Sequence, residues 1–134
     1  MKNLFVLLLM VALTGCGSKK QYPPATDALN AGLQFIDGCL KGDFDKADFY
    51  MLQDDRNKQL LTEAKQKFKQ LTKEQKKQLM EASLQNITIE NPSVNETIIH
   101  YNNSFNNAPG KVKVVQTDSN KWLADFKYAF NPNL

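Results

Sequence analysis

One histidine in 134 residues sets the first limit on the chemistry of this chain. A zinc site of ordinary composition draws on several imidazole or thiolate ligands. His100, Cys16 and Cys39 are the whole supply here, and they are far apart in sequence. His100 reads as a structural residue of a strand. The chain has no G-x-S-x-G turn for a nucleophile, no P-loop and no G-x-G-x-x-G. No catalytic, cofactor-binding or metal-ligating residue is therefore assigned. "DFDKAD" gathers Asp43, Asp45 and Asp48, but Asp48 sits where a calcium loop needs glycine at its sixth position. These acids read as helix caps and surface charge. A strong charge excess is also missing. The formal net charge is +3, which excludes nucleic acid as a partner on bulk charge. Long apolar runs are absent too: Leu4 to Leu13 is ten residues, and a bilayer-spanning helix needs about 20.

That short run has a different use. Lys2, the run itself and the small residues behind it have the layout of a secretory signal. The residues "LTGC", Leu13 to Cys16, resemble the lipobox of bacterial lipoproteins. The resemblance implies cleavage before Cys16, a diacylglycerol on its sulfur and an acylated amino group, and so a membrane partner held through N-terminal lipid. Several acyl chains anchor firmly, since each buried methylene contributes about 0.8 kcal/mol. Gly17, in place of an aspartate, and the basic "GSKKQYPP" imply the periplasmic face of the outer membrane in a cell that has one. The expected organisation is a signal peptide over 1–15, a lipidated cysteine and tether over 16–24, and one domain over 25–131. With Cys16 committed to lipid, Cys39 has no disulfide partner and is expected as a buried, reduced thiol.

Charge is unevenly spread. Residues 27 to 55 carry seven aspartates against Lys41 and Lys46, and residues 56 to 77 carry eight cations against Glu63 and Glu74. Two readings stay open. The blocks are solvated helix faces that attract one another weakly, or the lysine face meets anionic lipid or another polyanion.

Local signals divide the chain into helices and then strands. Thr26 is the expected cap of a first helix, with Asp27 at its positive end. Leu29, Leu33, Ile36 and Leu40 form its apolar stripe, widened by Phe35 and Cys39. Gly42 ends it, and Asp43 caps a short second helix. A third starts near Asp55 with Leu61, Ala64, Phe68 and Leu71 inward. Thr72 and Gln75 have capping-box spacing and restart a last helix anchored by Leu79 and Met80. After Ser83 the period becomes two. "LQNITIE", "ETIIHYN", "KVKVVQT" and "KWLADFKYAF" read as four strands. Trp122, Ala124, Phe126, Tyr128 and Phe130 share one side of the last, and Leu123, Asp125 and Lys127 the other.

Helices followed by an antiparallel meander make an α+β domain. That order, with "KGDFDKADFYM" (Lys41 to Met51) and "SNKWLADF" (Ser119 to Phe126), resembles lipoprotein domains of the nuclear-transport-factor-2-like (cystatin-like) superfamily. The resemblance implies N-terminal helices packed in the concave face of a curved four-stranded sheet, a cone. Leu33, Ile36, Trp122, Phe126 and Tyr128 are then the expected pocket lining. Enzymes of that superfamily, ketosteroid isomerase among them, use acids, tyrosines or histidines inside the cone. Asp125, Tyr101, Tyr128 and His100 match no such motif, so no catalytic role carries over. The expected function is binding of a small ligand, or an accessory role beside an envelope protein. Docking through the sheet face or the lysine-rich helix is one alternative, and an enzyme of the ketosteroid-isomerase-like class is the other.

Overall fold

The computed structural model describes residues 20–130. The leader, Cys16 and the start of the tether lie outside the described residues, as does the stretch 131–134. Helix α1 is Ala28–Lys41, α2 is Phe44–Phe49, α3 is Asp55–Gln70 and α4 is Lys73–Glu81. Asp27, not Thr26, caps α1: its side chain accepts from Asn30 N at 2.7 Å. Gly42 ends that helix at φ 70°, a conformation that costs glycine nothing. Asp43 caps α2, Asp54 caps α3, and Thr72 and Gln75 close the expected capping box on α4. Four strands follow: β1 (Leu84–Ser93), β2 (Glu96–Asn103), β3 (Pro109–Gln116) and β4 (Trp122–Phe130). They form one antiparallel sheet in chain order.

The helices pack on one face of this sheet, and the sheet is not strongly curled. The expected cone is thus replaced by a filled layer on a shallow sheet. Phe35 and Ile36 of α1, Ile99 of β2, and Val112 and Val114 of β3 are fully buried. The helix lies so close at Gly32 that an added Cβ would run into Ile99 and stand 3.1 Å from Val114. This approach rotates the helix relative to its sequence stripe. Ala31, Phe35, Ile36 and Cys39 are buried, while Leu29 and Leu33 lie half-buried at the rim. Met80 also departs from expectation: it is exposed, and Leu79 alone anchors α4.

The two sheet edges differ. Backbone from Tyr50 to Leu52 covers β4, with Ala124 N donating to Tyr50 O (2.7 Å) and Leu52 N to Ala124 O (2.9 Å). Strand β1 overhangs the helical layer, and Ile87 and Ile89 are exposed despite their alternation.

A polar clamp joins α3 to β4. Asn57 is fully buried. Its Nδ2 donates to Asp54 Oδ2 and Asp125 Oδ1, both at 3.1 Å, and its Oδ1 accepts from Lys127 N at 3.0 Å. Asp125 does lie opposite Ala124 in the strand, as alternation requires, but it is buried beneath the start of α3 rather than free on the outer face. Part of the expected tether is docked as well. Tyr22 Oη donates to Asp43 at 3.0 Å, and Tyr50 Oη donates to Pro23 O at 2.6 Å.

Candidate functional site

Gly42 and Asp43 turn the chain sharply, so that Phe44 leads α2 back toward α3. Phe44 meets Phe68 edge-on, with ring centres 5.7 Å apart. Leu71 adopts extended backbone after α3, and the capping box at Thr72 restarts the chain as α4. Leu79 then returns over the same region. On the remaining side stands Phe105, in the β2–β3 loop, its N–H donated to Asn103 Oδ1 at 2.9 Å. These elements surround a cavity of about 230 Å³. Cys39, Leu40 and Leu79 form part of its lining, and Phe44, Phe68 and Phe105 supply aromatic wall. Lys67 and Gln75 are its polar members. Burial pushes the Cys39 thiol up to about 12, so it stands as a neutral wall group at physiological pH.

A second cavity, of about 340 Å³, lies between α3 and the end of β4 and shares Ala64 and Lys67 with the first. Arg56, Glu63 and Lys127 make it polar, and Phe126 and Leu60 line it too. Lys127 is already engaged, at 2.6 Å from Asp54 and 3.4 Å from Asp125. The Asp54 carboxyl, hydrogen-bonded by Lys127, is held below the ordinary carboxylate range.

Asp27, Asp43 and Asp54 of the aspartate block are helix caps. Asp37 pairs with Lys41 and Lys46 close to it, and Asp43 also pairs with Lys20. Burial pushes the Asp37 carboxyl up, but hydrogen bonds from both lysines outweigh this and hold it low. The cations of α3 and α4, Lys58, Lys65, Lys67 and Lys69 among them, form no ion pair among the described residues. The acidic block therefore does not neutralise the basic one. Lys76 rests its ammonium 5.6 Å from the Phe68 ring centre.

The five residues expected to line one pocket do not converge. Ile36 is packed in the helix–sheet layer. Leu33 borders a shallow depression with Leu84 and Ile87. Trp122 is half-buried beside Tyr50 and Leu123. Phe126 is buried, edge-on to Phe35 at 5.1 Å, and reaches the second cavity. Tyr128 is 54% exposed, against the inward direction its parity predicted. The cause is a register irregularity. Lys113 faces Asp125, yet Lys111 faces Phe130, so five steps along β4 match two along β3. The extra residues break the alternation, and the Tyr128 ring comes to lie with its centre 4.5 Å from Lys113 Nζ. The apolar cavity beside Phe44 and Phe68 uses residues that the sequence places in helix stripes, namely Cys39, Leu40, Phe68, Leu71 and Leu79. Phe105, in the asparagine-rich loop, gave no such signal.

His100 stands on the sheet with Nε2 3.3 Å from Glu90 Oε2. Among the described residues no group of three or more acids, histidines or cysteines is placed to hold a metal ion. Comparison with protein-family models, with curated proteins and with solved structures finds no match for this chain.

Proposed function

We propose that this chain is a lipid-anchored cell-envelope protein whose domain binds a small apolar ligand between the four helices and the β2–β3 loop. The observation that carries the binding role is the apolar cavity of about 230 Å³ walled by Leu40, Phe44, Phe68, Leu79 and Phe105. The leader pattern ending in Cys16 supports the anchor, and Gly17 with the basic residues that follow supports the periplasmic face of the outer membrane in a cell that has one. The order of helices and then a meander supports a place in the nuclear-transport-factor-2-like superfamily, in a member with a filled, shallow layer. An enzyme of the ketosteroid-isomerase type has less support. Asp125 is bound by Asn57 and Lys127 and lines neither of the two cavities.

The binding role is tested with N-phenyl-1-naphthylamine, a neutral apolar fluorophore, titrated into the purified full chain. Saturable binding is expected, and it should be lost in Leu71→Trp, which carries bulk into the cavity from a half-buried position. Circular dichroism checks that this variant is folded. Absent saturation, or equal binding by a folded Leu71→Trp, refutes the cavity as a ligand site. The anchor is tested by Cys16→Ser and cell fractionation. Unchanged membrane association without a mobility shift would refute it.

A second reading, docking on an anionic surface through α3 and α4, is favoured by the cations that lack ion pairs among the described residues. Such a contact is worth at most about 1 kcal/mol per lysine and is screened by salt. Binding to phosphatidylglycerol vesicles should therefore weaken with salt and on changing Lys65 and Lys69 to Glu. Equal binding to neutral vesicles overturns it.

A further inference from the structure

We infer that the face built by the docked tether, the end of α2 and the start of β4 rests on the bilayer, with Phe49 and Trp122 at the level of zwitterionic lipid head groups. The inference rests on the Cys16 anchor proposed above and adds which side of the domain that anchor turns to the membrane. Three observations carry it.

The first is the length of free chain. The tether is fastened to the domain from Lys20 onward. Tyr22 Oη donates to Asp43 at 3.0 Å, Tyr50 Oη donates to Pro23 O at 2.6 Å, and Lys20 Nζ stands 3.5 Å from Asp43. The Tyr22 ring also packs on Phe49, with ring centres 5.5 Å apart. Cys16 precedes Lys20 by four positions, and four residues of extended chain span at most about 14 Å. Free up to the start of α1 at Ala28, the same chain would reach about 43 Å. A domain of this size has a radius of gyration of about 13 Å, so its far side lies beyond the shorter reach. The lipid at Cys16 therefore holds the Lys20 side of the domain toward the bilayer.

The chemistry of that side is the second. Phe49, against which Tyr22 packs, is 43% exposed. Pro24, Phe49, Tyr50, Trp122 and Leu123 border one hollow there. The tether, α2 and β4 thus each bring apolar groups to the same place. Tryptophan and tyrosine rings collect at the head-group level of membranes, because one end of the ring is apolar and the other polar.

Mixed charge is the third. Asp48 and Lys121 border the same hollow, and Lys20 is held by Asp43. A face with both signs has no preference for anionic lipid. Its hold on a bilayer comes from the anchor and the rings, which salt does not screen as it screens exposed charges. This separates the contact from one made by the lysines of α3 and α4.

The test uses Trp122, the chain's single tryptophan. The lipidated full chain is reconstituted into phosphatidylcholine vesicles, with and without a share of phosphatidylcholine carrying a nitroxide on its head group. Flotation of the vesicles reports the anchor, and Trp122 emission reports the contact. The nitroxide should quench Trp122 at low and at high salt alike. Tyr22→Ala, which unfastens the tether from Asp43 and Phe49, should still float but lose most of the quenching; circular dichroism checks that it is folded. Protein that floats with Trp122 unquenched overturns the inference and leaves the anchor standing. So does a folded Tyr22→Ala chain quenched like its parent. Quenching that vanishes with salt, or on changing Lys65 and Lys69 to Glu, gives the contact to α3 and overturns the inference as well. A chain that does not float overturns the anchor itself, and this inference with it.

Discussion

Asn57 Nδ2 donates to Asp125 Oδ1 at 3.1 Å, across 68 positions of sequence. The same amide donates to Asp54 and accepts from the Lys127 backbone, so the side chain is anchored at both ends. This clamp fixes the first turn of α3 on β4 and thereby one wall of the polar cavity. Replacing Asn57 by Leu keeps the branched shape but takes one of the two partners from the buried Asp125 carboxylate, leaving it Lys127 alone, and leaves the Lys127 backbone N–H without its acceptor. Loss of one partner of a buried polar pair costs about 1–3 kcal/mol, more where the survivor is charged. Asn57→Leu should lower the urea midpoint by an equivalent of about 3 kcal/mol. The double variant Asn57→Leu with Asp125→Leu should recover part of that loss. Additive losses in the double variant would mean that the two residues are not energetically coupled.

Two glycines of α1 are expected to respond differently to alanine. At Gly38 an added Cβ would stand 2.8 Å from Ala47 N and 2.9 Å from Asp43 O, both main-chain atoms of the turn and helix that follow. Backbone cannot rotate aside, so α1 and α2 must separate. At Gly32 the obstacle is the terminal methyl of Ile99, the far end of a side chain. Overpacking costs typically about 1–3 kcal/mol, against a helix-propensity gain of about 1. Gly38→Ala should destabilise the more, and shortening Ile99 to Val should rescue Gly32→Ala. Thermal melts of the four proteins decide this. Equal losses at both glycines, or no rescue, would contradict the close approach.

Along β4, Phe126 and Trp122 share a parity but not a burial. Phe126 is buried against Phe35, whereas Trp122 is half-buried at the margin of the core. Phe126→Ala should cost about 3–5 kcal/mol, as buried phenylalanines do, and Trp122→Ala roughly half as much. Tyr128→Ala should change stability by less than about 1 kcal/mol, because an exposed ring under a lysine contributes little more. Guanidinium unfolding of the three variants gives the ranking. A Tyr128→Ala loss as large as that of Phe126→Ala would place Tyr128 inside the core after all.

The legible part of the fold was local. Gly42, Asp43 and the pair Thr72 and Gln75 act through their own neighbours within one turn, so spacing alone reveals them. The same holds for the four strands, whose order and antiparallel meander follow from short turns. What sequence did not reveal depends on partners far along the chain. Asn57, between Arg56 and Lys58, looks like surface until β4 is laid against it. Tyr128 keeps its parity in the sequence and loses it through a register irregularity with β3. Ile87 and Ile89 alternate like core residues but belong to an edge strand that reaches past the helices. The cavity has the same origin: spacing reveals each of its helices, but the gap among four helices and a loop belongs to no single one.

Cys39 gives the domain a specific alkaline sensitivity. Its thiol is buried in the cavity wall, and burial raises its pKa from 9.0 to about 12. The native state therefore keeps a proton that the unfolded chain releases above pH 9. Where the native state binds more protons, stability falls as pH rises. The contribution is fully present below pH 9 and is lost progressively toward pH 12, by at most about 1.4 kcal/mol per pH unit. Tyr22, raised to about 12 by desolvation and its hydrogen bond to Asp43, titrates in part of the same window. The comparison must therefore be with Cys39→Ala, in which Tyr22 is unchanged. From pH 8 to 11 the wild-type protein should lose stability relative to Cys39→Ala in urea unfolding. Over the same range, alkylation of native Cys39 should quicken about tenfold per pH unit without levelling near pH 9, because the thiolate is the reactive form. A constant stability difference across that range, or a plateau near pH 9, would show a thiol in contact with water. The cavity wall would then be open at Cys39, and an apolar ligand would be wetted there.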